Sequence, residues 1–393
     1  MSTNKVTEFK NLSFIEQLLS GLAGSSLLPL LIYFVMVSCR LKKPMGIIIT
    51  GSSSAGKSYY IKYIAKLFPE EWLHVTSKIS DAVLSKYERQ YFKNKIVLFD
   101  EAEGVSEGAG YFFRILLSEL EYTYDVTSNS RTVSQEVIEG PISLIGTTSD
   151  DIKSHREDNI NRLIVAEVDQ TVTQTELILK FQAQQASSFE SLQPDQKIVE
   201  MHKNFLRSLQ CFDVLIPFAA EVIPRMTHIN ARRDYPKILD LIRVAAFLRQ
   251  KFKAVKTSDC GSFDYIEADI KDYECIYPLL DIAFKVTINE SLTAAEYYDD
   301  IFVGLQKNKV KKFTKKDVEA WLGFGGTKSQ EIIKQLLEGG FATVFKASKS
   351  NQPAIYELSK ERPKVVSPFV TPEELRAACA RNDGEHANPN HFQ

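Results

Sequence analysis

Short, almost uninterrupted apolar runs alternate with segments of helical period over the first 170 residues. The runs are Met45 to Thr50, Lys95 to Phe99, Ile142 to Gly146 and Leu163 to Val168. Apolar continuity of this kind suits central parallel strands covered on both faces. The pattern therefore predicts an α/β sheet domain over 45–170. Ahead of it, residues 1–44 read as helical: Asn11 or Ser13 can cap the stripe Phe14, Leu18, Leu19, Leu22, and Pro44 closes the segment. The apolar stretch Leu27 to Cys39 falls short of the roughly 20 residues that span a bilayer, so a buried helix is expected and a membrane is not.

From 171 to 295 strands largely vanish from the pattern and helical periodicity dominates. Ile238, Leu241, Ile242, Ala245 and Leu248 share one face of a helix over Tyr235 to Phe252. A helical lid is expected there, with 256–272 as a loop or weak hairpin inside it. A third pattern occupies 296–361. Thr314 caps a helix ending near Leu322; Gly323, Gly325 and Gly326 make a turn; Thr327 caps a second helix to Glu338; Phe341 to Leu358 reads as two strands. Helix, turn, helix and hairpin in that order describe a winged helix. The tail, 362–393, is proline-containing and polar and is expected to be flexible.

Composition adds bounds. The chain has 393 residues, 44% hydrophobic and 25% charged, which predicts a soluble protein of two or three domains. A net charge of −2 gives no global field toward nucleic acid, so any such affinity must come from local patches. Five scattered cysteines, Cys39, Cys211, Cys260, Cys275 and Cys379, form no metal or redox motif. They fit free thiols in a reducing cytoplasm.

The chemistry lies at the strand ends. Gly51, Ser52, Ser53, Ser54, Ala55, Gly56, Lys57 and Ser58 follow one predicted strand and open a predicted helix, which is the context of a phosphate-binding P-loop. Backbone N–H groups would converge on phosphate oxygens, Lys57 would reach the β and γ phosphates, and Ser58 would hold Mg2+. The run Ile96 to Phe99 ends in Asp100 and Glu101. Asp100 suits the magnesium shell, and Glu101 suits polarisation of the attacking water. The third run ends in Thr147 and Thr148, where a hydroxyl could orient the water or sense the γ phosphate, or the pair could simply form a turn. Arg162 precedes the fourth run and reads either as an arginine finger or as a salt-bridged surface residue.

These motifs, with Phe113 to Glu119, Glu139-Gly140-Pro141, Asn161-Arg162-Leu163 and Arg232-Arg233-Asp234, resemble the helicase-like ATPase module of phage and mobile-element DNA primases. More distantly the order is similar to minichromosome maintenance helicases, which are AAA+ hexamers with a C-terminal winged helix. The resemblance implies an AAA+-type α/β fold, ATP and Mg2+ as ligands, and a homo-oligomeric, hexameric ring. It also implies a trans-acting Arg162, a sensor role for Arg233 with Arg232 competing for it, and a primase or other replication protein as a possible partner. The chain has no zinc-binding cysteine cluster and no room for a toprim domain ahead of the P-loop, so priming activity is not expected to transfer.

Tyr122 to Ile138 alternates as a β-hairpin around Ser128, Asn129, Ser130 and Arg131. In the helicases that look like this, such a hairpin touches DNA in the central channel, and Arg131 would contact phosphate. Lys328 and Lys334 on the second helix of the winged helix, with Lys346 and Lys349 in the wing, offer a second DNA surface. The expected function is an ATP-driven ring ATPase acting on DNA in replication of a phage or mobile element. The alternative is a nucleotide-gated regulatory or assembly ATPase, a loader or an anti-phage defence component, docking a protein through the winged helix.

Overall fold

The computed structural model describes residues 15, 18–19, 22, 24, 27–53, 55–77, 79–84, 86–99, 106–127, 133–149, 162–187, 195–225, 231–348, 352–361 and 368–386. The chain divides into two compact units, one of Met1–Ala219 with Lys237–Ala283 and the other of Ala220–Pro236 with Phe284–Gln393.

The first unit is built on a five-stranded parallel sheet. Its strands are β1 (Gly46–Thr50), β2 (Leu73–Thr76), β3 (Lys95–Phe99), β6 (Ile142–Thr148) and β7 (Ile164–Glu167), in the order β2-β3-β6-β1-β7. Four of these are the predicted apolar runs. The edge strand β2 escaped prediction because Leu-His-Val-Thr carries two polar residues in four and none of its positions is fully buried. An antiparallel hairpin, β4 (Glu121–Thr127) with β5 (Val133–Glu139), separates β3 from β6 in sequence. The predicted hairpin is present, and its tip, with Arg131, lies outside the described residues.

Helix α1 (Leu27–Val37) accounts for the apolar N-terminal stretch: ten of its eleven residues are buried, and it packs against β6. Polar groups at its end are satisfied locally. The Ser38 hydroxyl donates to Val35 O at 2.6 Å and accepts from Met45 N at 2.8 Å, which joins the end of α1 to the entrance of β1. Ser143, fully buried on β6, donates to Met36 O at 3.2 Å. Among the described residues no helix is long and apolar enough to cross a membrane. Helix α2 (Lys57–Ala65) follows the loop after β1. Helix α3 (Glu107–Ser118), capped by Ser106, lays Phe112 and Phe113 against Phe92 and Phe99 under the sheet.

Helices α4 (Val172–Ser187), α5 (Gln196–Arg207), α6 (Ala231–Leu248) and α7 (Ile270–Ala283) supply the expected helical content, and all five predicted core positions of α6 are buried. Among the described residues strands are few here, and the loop or weak hairpin expected within 256–272 is a hairpin, with Lys256–Thr257 antiparallel to Asp264–Glu267. A small sheet of order β8-β10-β9 forms from β8 (Asp213–Leu215), β9 (Lys256–Thr257) and β10 (Asp264–Glu267). β8, of three residues, is too short for a period-two signal. Beyond α6, Arg249 and Lys253 pair with Asp269 and with the fully buried Asp272.

In the second unit, α8 (Lys285–Asn308) packs against α9 (Lys315–Leu322) and α10 (Gly326–Glu338), and α10 leads into the hairpin of β11 (Ala342–Lys346) and β12 (Ile355–Leu358). Their shared core contains Ile301, Phe313, Val318, Ile332, Leu336 and Phe341. Thr314 and Asp317 form a capping box on α9. Thr327 does not cap α10: the N-cap is Gly325, whose extended backbone starts the helix two residues earlier. The tail expectation is also corrected. Residues 372–386 form helix α11 (Pro372–His386), held by fully buried Leu375, by Phe369 against Phe284, and by Arg225 pairing with Glu374 at 2.8 Å. Spaced apolar residues among Glu, Arg and Asn gave only a weak helical period there.

One buried acid makes stability depend on pH. Burial raises Asp240 on α6 to about 6, against the opposing pull of Arg243, 2.5 Å away. Its unfolded value is about 3.9. Stability carried by the neutral carboxyl is therefore full below about pH 4 and is lost as pH rises through about 6. Urea unfolding should show wild type losing about 2 kcal/mol between pH 4 and pH 7 relative to Asp240→Asn, which has no such titration.

Candidate nucleotide site

The loop after β1 has the backbone of a phosphate cradle. Gly51 and Gly56 sit at φ of 149° and 83°, and Lys57 begins α2 immediately afterwards. A Cβ at Gly56 would meet nothing within 4 Å. It is the left-handed backbone, not crowding, that requires glycine there. The helix directs the positive end of its dipole at the space above the loop. The Lys57 side chain is almost buried and folds back over the loop, donating to Gly51 O at 2.6 Å and Ser52 O at 2.8 Å. An ammonium carries three donors, so one remains for a phosphate oxygen. Ser53 and Ser52 are exposed, Ala55 and Ser58 half-buried, and Ser54 lies outside the described residues.

A further residue holds the loop that the motif did not reveal. Val168 N–H donates to Thr50 O at 3.0 Å, extending the β7 edge beside the start of the cradle. Two residues on, Gln170 Oε1 accepts from the Ser52 hydroxyl at 2.6 Å and the Ser52 N–H at 3.3 Å. Nothing in sequence spacing links positions 52 and 170. Strand pairing does.

The strand order sets the rest of the site. Because β6 lies between β1 and β3, its C-terminal end faces both neighbours: Thr147 pairs with Ile49, Thr148 with Thr50, and Gly146 with Phe99. The strand runs through both threonines, which are buried on opposite faces. Thr147 thus stands at the same sheet edge as Gly51. Asp100 and Glu101, which follow Phe99, lie outside the described residues.

Arg162 is placed at the other end of the sheet. Ile164 pairs with Ile47, so Arg162 is level with Met45, six residues before Gly51 on β1. At strand rise that is about 20 Å, and the structure does not bring Arg162 to the phosphate loop of its own chain. Its guanidinium is half exposed and donates to Ser118 Oγ at 2.6 Å, with Glu119 at 3.9 Å. Arg232 and Arg233 are exposed on the first turn of α6, within the second unit. The neighbouring Asp234 is buried and accepts from the Thr287 hydroxyl at 2.7 Å.

The DNA candidates fare unevenly. The described hairpin residues carry Glu121, Asp125, Glu136 and Glu139 and no lysine or arginine. Glu139 is held below the usual carboxylate range by Arg89, at 2.7 Å, and by Lys93. Tyr122 packs edge-on against Phe112 at 4.9 Å, fixing the hairpin base on α3. On α10, Lys328 pairs with Glu331 at 3.0 Å and Lys334 with Glu338 at 3.8 Å. Among the described residues no cluster of three or more His, Cys, Asp or Glu could hold a metal. Ser58, the residue that in a loop of this kind would hold Mg2+, is half-buried on the first turn of α2.

Residues 24–210 match the family model of the MTBMA_p00010 P-loop domain. No curated protein matches the chain significantly. The matched stretch contains the whole parallel sheet, and the fold is that of an α/β P-loop domain. Such a domain binds nucleotide.

Replacing Lys57 by Ala removes the charge and both carbonyl contacts. Binding of a fluorescent ATP analogue with Mg2+ should weaken at least about tenfold, while thermal unfolding stays close to wild type. Gln170→Ala should weaken it by about two- to fivefold, because only the loop's support is lost.

Proposed function

We propose that the chain is an ATP-hydrolysing ring ATPase that acts on DNA, as a helicase or helicase-like initiator in replication of a phage or mobile element. The observation that carries this reading is the separation of Arg162 from Lys57. A half-exposed arginine about 20 Å from its own phosphate loop cannot serve that loop, and on leaving its surface contacts with Ser118 and Glu119 it can face a neighbour's. Head-to-tail packing of such a subunit repeats the same contact and closes into a ring when the rotation allows.

In this reading Lys57 donates to the β and γ phosphates, and the N–H groups from Gly51 to Ser58 surround them. Mg2+, held by Ser58 and Asp100, would neutralise charge shared by the β and γ oxygens. Glu101 polarises the attacking water, Thr147 orients it, and Arg162 of the adjacent subunit stabilises charge on the transferring group. Arg233 is read as the sensor arginine, with Arg232 competing for the role. The 285–358 arrangement of helices and hairpin is read as a winged helix, and the β4–β5 hairpin as the element that meets the strand.

A second reading has its own observation. The described flanks of the β4–β5 hairpin are acidic, which opposes a phosphate backbone and favours a nucleotide-gated assembly or regulatory ATPase that docks a protein through the winged helix. DNA separates the two readings. On a forked duplex, wild type should displace a strand with ATP and Lys57→Ala should not. Arg162→Ala should lower ATP turnover by about 10³-fold or more while still binding nucleotide. ATPase activity in wild type that DNA neither stimulates nor couples to unwinding would favour the switch.

A further inference from the structure

The chain has almost no net charge, so a nucleic-acid surface must be local. Of the expected positions that are described, the α10 lysines are paired with glutamates, the flanks of the β4–β5 hairpin are acidic, and Lys346 lies on β11. The largest concentration of positive charge is elsewhere. Between Lys307 and Lys316 the chain places Lys307, Lys309, Lys311, Lys312, Lys315 and Lys316 with no acid among them. This segment is the junction from α8 to α9. Among the described residues no ion pair engages any of these six side chains. The next acid, Asp317, is committed to Thr314 in the capping box.

The fold gathers this run beside exposed apolar surface. Phe313 bridges Tyr356, with backbone hydrogen bonds of 3.0 and 2.8 Å in the two directions, so the lysine segment lies along the β11–β12 hairpin. The register of β11 on β12 shifts between Val344 and Lys346, a local bulge that holds Phe345. Phe345 is 55% exposed and Val344 51%. The Lys312 ammonium lies 2.9 Å from the Phe345 ring centroid. Lys346 follows on the same strand and reaches Gln352 at 2.7 Å. At the other end of the run, the Lys315 ammonium would lie 3.3 Å from a Cβ at Gly326, at the start of α10, beside the Glu319 carboxylate.

We infer that the α8–α9 junction and the β11–β12 hairpin form a binding surface for single-stranded DNA, with Lys309, Lys311, Lys312 and Lys316 on phosphates and Phe345 as a stacking platform for one base. Unpaired lysines beside an exposed ring are the two components that sequence-tolerant strand binding needs. The Lys312 ammonium lies over the Phe345 ring, and the residue as a whole is 55% exposed, leaving surface for a base. A solvated lysine run alone would have no reason to lie beside a bulged aromatic. The inference deepens the DNA reading proposed above, and rests on its premise that this chain meets DNA.

Fluorescence anisotropy of a labelled thymidine oligomer of about 20 nucleotides, titrated with the full chain over a range of salt, is the test. Reversing Lys309, Lys311 and Lys312 to Glu should weaken binding at least about tenfold near 0.1 M salt and make the salt slope shallower by about 2. Changing the same three to Gln, a milder substitution, should act in the same direction. Phe345→Ala should weaken binding at least about fivefold. A control reversing the exposed Lys86, Lys180 and Lys197 should stay within about twofold of wild type. No binding by wild type, patch variants that bind as wild type does, a control that loses as much, or tighter binding of a duplex of equal length overturns the inference. If DNA stimulates the ATPase while patch variants bind normally, this surface is wrong and the DNA reading stands. If the oligomer binds through this patch without stimulating the ATPase, the surface stands and the DNA motor falls.

Discussion

A parallel strand buried on both faces can bring polar groups to solvent only at its ends, and the first unit is organised by that constraint. β1 is apolar because it lies in the middle of the sheet, and its chain must turn sharply at Gly51 to start α2. The left-handed Gly56 and the Lys57 ammonium, tied to two carbonyls of the same loop, hold that turn open toward solvent. The other participants reach the loop by pairing with β1. β6 delivers Thr147 on one side and β7 delivers Gln170 on the other, so a stable sheet and a formed cradle are the same set of contacts.

The same geometry divides the site. All five strands point one way, so whatever precedes a strand is at the opposite edge from whatever follows one. Lys57 follows a strand, Thr147 lies at the C-terminal end of one, and Arg162 precedes one. A chain of this design presents a phosphate loop at one edge and a candidate finger at the other, which is the asymmetry that head-to-tail assembly uses. Charge is distributed unevenly as well: carboxylates line the β4–β5 hairpin, while six lysines gather at the α8–α9 junction in the second unit.

Features with a strong local signature were legible in the sequence. The four apolar runs became central strands, the loop from Gly51 to Ser58 turned where its glycines required, and the Thr314 cap began its helix as read. What was not legible depended on contacts distant along the chain. Gln170 supports Ser52 only because β7 pairs with β1. β2 is an edge strand with polar positions, and β8 is too short to show a period. The tail helix gains its order from Phe284 and Arg225, far upstream. Lys328 and Lys334, which read as a modest basic surface, pair with Glu331 and Glu338 on the same helix. Among the described residues, Asp100, Glu101 and Arg131 do not appear, and their roles rest on the sequence reading.

The central claim is a nucleotide site assembled from two copies of the chain, and complementation measures it directly. Lys57→Ala and Arg162→Ala are each prepared, assayed for ATP hydrolysis alone, and then mixed in equal amounts under conditions that allow subunits to exchange. In a mixed assembly, the intact Lys57 of one variant can meet the intact Arg162 of the other. The account predicts recovery of up to about a quarter of wild-type turnover, the fraction of interfaces that pair both intact residues under random mixing. Two inactive variants that stay inactive when mixed, although they co-assemble, would contradict it.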